Sequence, residues 1–183
     1  MKKFLSLVLA LMCLCPLFSA AAEEAPLPEL NLPISLEGYQ QAYTTLLTAI
    51  VPGCSVSWIS APMEDGECYM GVIDNSFVSV MVLVKDSQAQ EIAVLMQSTL
   101  DESSLMTFLS MAGYAGAALL CDEAVTPVDA CDAFVNELYA VFSAINAGEQ
   151  PENIYGLPGG ISITVQEDGS YQYYFVLSLS SAQ

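Results

Sequence analysis

Between Cys121 and Phe134 the chain reads CDEAVTPVDACDAF, which sets two cysteines beside the carboxylates Asp122, Glu123, Asp129 and Asp132. Three chemistries could use such a set. Carboxylate oxygens suit Ca²⁺, but an EF-type loop needs acids at alternate positions, a central glycine and a terminal glutamate. Neither this segment nor EDGE, VIDNS or QEDGSY meets that pattern. A redox pair or zinc knuckle would want the close C-x-x-C spacing and a basic neighbour to hold the thiolate, and both are missing. The third reading is a corner between two helices closed by a disulfide, with Asp129 and Asp132 near a helix start whose dipole favours negative charge. Two disulfides are therefore expected, Cys54 with Cys68 and Cys121 with Cys131. Each closes a loop worth on the order of 2 to 3 kcal/mol in the chain-entropy account.

The missing residue types restrict the chemistry further. The 183 residues carry 21 acids against three lysines, and there is no arginine or histidine. Neutralising phosphates takes clustered Lys or Arg, so nucleic acid and anionic membranes are not expected partners. Phosphoryl transfer loses its cationic clamps, Ser-His and Cys-His nucleophiles lose their base, and zinc or copper loses imidazole. Carboxylate acid–base chemistry, hard-cation binding and plain binding remain. The acids fall mostly at turns and helix starts, where local structure accounts for them. Lys85 adjoins Asp86 at a strand end and reads as a turn residue. No catalytic, cofactor-binding or metal-ligating residue is singled out, and no cofactor is expected.

MKKFLSLVLALMCLCPLFSAAAEE has the three parts of an export signal: Lys2 and Lys3, an apolar run from Phe4 to Phe18, and small residues to Ala22. Cleavage is expected after Ala22, giving a secreted or periplasmic protein with only Lys85 against the 21 acids. Residues 23–33, EEAPLPELNLP, read as an extended leader. Residues 34–183 are expected to form one domain.

The periodicities supply the elements. Leu36, Tyr39, Tyr43, Leu46, Leu47 and Ile50 make an amphipathic helix capped by Ser35. Residues 54–97 switch to a four-strand antiparallel meander, because the connections are too short for parallel crossovers. Its run FVSVMVLV is apolar on both parities, as for a strand covered on both faces. Thr99 with Glu102 suggests a capping box for a helix bearing Leu105, Phe108, Leu109 and Ala112. Thr126 and Pro127 open another, with Val128, Cys131, Val135, Leu138, Phe142 and Ile145 as its stripe. ISITVQ, the Asp168-Gly169 turn and YQYYFVLSLS close the chain as a hairpin. The order α-ββββ-αα-ββ predicts an α+β fold, an antiparallel sheet with helices packed on one face.

On the last strand Tyr171, Tyr173 and Phe175 share one face, while Tyr174 points the other way with Gln172 and Val176. These aromatics form a candidate binding surface, weighed against the plainer reading that the first three simply lie under the helices. The expected function is an exported, acidic, non-catalytic binding domain for a protein, peptide or small ligand, with a cationic partner as one option. The alternatives are a hydrolase using carboxylates alone on glycan-type substrates and an extracytoplasmic escort for a basic client.

Overall fold

The computed structural model describes residues 28–63, 66–74, 76–121 and 125–179. The expected signal segment, the first part of the leader, and Asp122 and Glu123 lie outside these residues. Helix α1 (Leu36–Ile50) starts at Ser35, whose hydroxyl accepts from the Gly38 amide at 3.1 Å. Strands β1 (Val56–Met63), β2 (Gly66–Ile73), β3 (Val78–Lys85) and β4 (Gln88–Ser98) follow as the meander. Helices α2 (Glu102–Ala117) and α3 (Pro127–Asn146) come next, then β5 (Asn153–Ile154), β6 (Leu157–Val165) and β7 (Tyr171–Ser178). The fold is α+β in the expected order, with the two-residue β5 added before the final hairpin. No helix among the described residues is long and apolar enough to cross a membrane.

All strand pairings are antiparallel, and the sheet order is β1-β2-β3-β4-β7-β6-β5. The α2–α3 pair is thus the crossover that returns β7 to lie beside β4. Register across the centre aligns Val80 with Val94 and Val94 with Phe175. These side chains, with Val82, Ile92, Tyr173 and Leu177, are buried under the helices. Burying such side chains contributes about 1.5 to 3 kcal/mol each.

The helices meet closely because α2 presents glycines. A Cβ built on Gly116 would stand 2.0 Å from the Phe134 ring, and one on Gly113 would stand 2.5 Å from a Val135 methyl. Phe134 in turn stacks on Tyr155 at 5.6 Å and meets Phe175 edge-on at 6.4 Å. Helix α1 is tied in by Tyr39, whose buried hydroxyl donates to the Ala115 carbonyl at 3.0 Å. That bond satisfies a polar atom which burial would otherwise leave unpaired.

Two local expectations, the cap of α2 and the burial of Val128, are corrected. The cap of α2 is Asp101, which accepts from the Ser104 amide at 2.8 Å, while Thr99 donates its hydroxyl to the same carboxylate. A carboxylate two residues on outcompetes the hydroxyl as acceptor. Ala61, Pro62 and Met63 form the end of β1. Val128 is 60% exposed, because the buried side of α3 follows Ala130, Phe134, Leu138 and Val141, a phase set by Phe134 lodging against Gly116. The described end of the leader is docked: Asn31 donates to the Leu119 carbonyl at 2.7 Å, and the Tyr155 hydroxyl donates to the Pro28 carbonyl at 2.7 Å.

The expected pairing of Cys54 with Cys68 does not fit the register of the sheet. Cys68 lies opposite Ala61 on β1, seven positions along the chain from Cys54. At about 3.3 Å per residue that is about 23 Å, far beyond the roughly 7 Å that a disulfide spans between Cα atoms. Cys131 is buried, and its thiol is pushed up to about 12 by desolvation, by Cys121 and by Asp132. Against an ordinary value of 9.0 this keeps its thiolate fraction low near neutrality. Native protein at pH 8 is therefore expected to alkylate Cys131 far more slowly than unfolded protein. Quantitative peptide mapping checks this, and equal rates in the two states would contradict it.

Candidate functional site

The helices cover only one face of the sheet. Trp58, Gly71, Val80, Val94, Phe175 and Ile161 lie in register from β1 to β6 on the side of the helices. The intervening residues point to the opposite face, over which no described element lies. Its central rows carry Ile59, Met70 and Met81 in one register and Leu95 and Tyr174 in another. Ile59 and Met63 are each 54% exposed and Met70 is 37% exposed. A set of flexible thioethers beside rigid aliphatic groups makes such a surface adaptable to what it meets.

Charge is nearly absent there. Among the described strand residues, alternation brings one acid, Glu91, and one cation, Lys85, to this face, and Glu67 lies at its margin. A groove of about 800 Å³ continues the face at that end, lined by Pro62, Met63, Leu83 and Lys85 among others. Glu91 also bears on Tyr174, whose hydroxyl is raised above its ordinary value by desolvation first and by that carboxylate second.

The aromatic strand therefore splits. Tyr173 and Phe175 are wholly buried beneath the helices, Tyr173 donating to the Thr99 carbonyl at 2.8 Å. They belong to the core, as the plainer reading held. Tyr174 alone reaches the uncovered face. Tyr171 lines a separate apolar crevice of about 210 Å³ with Phe142, Ile145 and Ile161, where α3 runs alongside β6. The periodicity of β3 carried the missed signal: its apolar residues occupy both parities, yet three helices suffice to cover one.

The acids do structural work. Asp101 is held below its ordinary 3.8 by the Thr99 hydroxyl first and the Ser104 amide next. Asp168 is lowered by the Ser170 hydroxyl and amide, which its carboxylate accepts at 2.6 and 2.9 Å. Groups whose folded value is lowered contribute stability that is present above the unfolded value and lost as pH falls through the folded one. Replacing both by Asn keeps the hydrogen-bonding shape and removes the titration. The melting-temperature advantage of the parent over Asp101→Asn/Asp168→Asn is thus expected to vanish as pH drops below 3.8. A gap that widens on acidification would contradict this assignment. Among the described residues no group of three or more Cys, Asp and Glu side chains is placed to hold a metal ion.

No protein-family model, curated protein or solved structure matches the chain.

Proposed function

We propose that the chain is an exported, non-catalytic binding domain whose contact surface is the uncovered sheet face. One observation carries this reading: an apolar, nearly uncharged face on a strongly acidic chain, with no described element over it. Exposed apolar patches of this extent mark interaction surfaces, since water contact with them is unfavourable. The N-terminal signal pattern supports export. A carboxylate-only hydrolase has less support, because a general acid needs a raised value and Asp101 and Asp168 both move down. An escort that holds basic clients by charge would cluster its acids on the contact face, where the described strands bring Glu91, with Glu67 at the margin.

The test is capture from the exported fraction with the parent chain and with Leu95→Asp, each at low and at high salt. Leu95 is half-buried on this face, so the variant puts a carboxylate into the contact without disturbing the core. Association that survives high salt and is lost in Leu95→Asp is the expected result. Capture released by salt and indifferent to Leu95→Asp would assign binding to the acidic surface instead.

A further inference from the structure

We infer that the occupant of the uncovered face is a second copy of this chain, packed sheet against sheet about a two-fold axis. The inference rests on the reading of that face as a binding surface and names its partner. Size is the first argument. Six full strands, β1 to β4 with β7 and β6, at about 4.8 Å spacing and about eight residues long at 3.3 Å rise, give a face of about 750 Å². Two copies would together remove about 1,500 Å² from solvent, inside the roughly 1,200 to 2,000 Å² of specific interfaces.

Charge is the second argument. Two chains of net charge −18 repel wherever their acids face one another. Among the described strand residues the sheet face carries one carboxylate, Glu91, and one ammonium, Lys85, with Glu67 at its margin, and is where two such chains can meet with few carboxylates stacked. Shape agrees. A twisted antiparallel sheet is complementary to a second sheet turned by about 30°, and an isologous pair needs only one self-complementary patch. Met70 and Met81 of the two copies would fill the gaps between branched side chains.

The experiment is sedimentation equilibrium of the purified full chain over a concentration series, beside Met81→Asp, Leu95→Asp and the off-face control Val128→Asp. Near-UV circular dichroism monitors the fold of each. The expected result is a dimer for the parent and for Val128→Asp, with dissociation constants raised at least about tenfold in both face variants and no weakening by salt. A dimer that persists in both face variants places the interface elsewhere and overturns the inference. A parent that is monomeric throughout also overturns it. In that case an apolar dye separates the two readings: binding that is lost in Leu95→Asp keeps the face as a site for another partner, and absent binding removes that reading too.

Discussion

Gly116→Ala is expected to destabilise the domain by about 2 kcal/mol, although alanine is favoured over glycine in a helix by about 1 kcal/mol. The new methyl would lie 2.0 Å from two carbons of the Phe134 ring, well inside the 3.0 Å that real Cβ contacts respect. That ring cannot swing aside, because Tyr155 stacks on one side of it and Phe175 meets it edge-on. Overpacking of this kind costs up to about 3 kcal/mol, so the clash wins over propensity. For a chain of this length the melting temperature should fall by about 4 to 8 °C. Gly113→Ala should cost less, since it meets the end of one rotatable Val135 side chain. In the double variant Gly116→Ala/Phe134→Leu the shorter side chain leaves room for the methyl, so the combined loss should be smaller than the sum of the single losses by about 1 kcal/mol or more. Thermal unfolding of the parent, Gly116→Ala, Gly113→Ala, Phe134→Leu and the double variant decides this, and an unchanged or raised melting temperature in Gly116→Ala would sink the account of the helix crossing.

The second large effect separates two neighbours in the sequence. Phe175 is wholly buried in the core against Phe134, so Phe175→Ala should cost about 3 to 5 kcal/mol through the cavity it leaves. Tyr174 lies on the uncovered face between Leu95 and Ser162, with its ring partly in water. Tyr174→Ala should cost about 1 kcal/mol or less of stability, the range of a cross-strand pair. It should nonetheless weaken association through that face by about tenfold, because aromatic groups near the centre of a contact dominate its energy. Denaturant unfolding measures the first quantity and sedimentation the second. Equal stability losses in the two variants would show that the assignment of sheet faces is wrong.

Much of the fold was legible because its signals are local. Ser35 and Thr126 each place a side-chain oxygen within reach of an amide three residues on, so the starts of α1 and α3 could be read from the chain alone. Asp101 was hidden by Thr99, a competing acceptor two residues earlier whose hydroxyl in fact serves the carboxylate. The period of two separated Tyr173 and Phe175 from Tyr174, yet period alone does not say which face is covered. That depends on where the crossover through α2 and α3 lays its helices.

The cysteines make the same distinction sharper. Sequence set them at spacings that a disulfide framework would allow, whereas register decides distance, and register placed Cys68 seven positions from Cys54. What the sequence by itself determined is the chemistry the chain lacks, the identity of its elements and their order, because composition, caps and periodicity act over a few residues. Only the tertiary structure decided that Gly116 faces Phe134 and that one apolar sheet face has no described element over it. Those facts depend on contacts between residues distant in the chain, and no local pattern encodes which partner a buried surface will find.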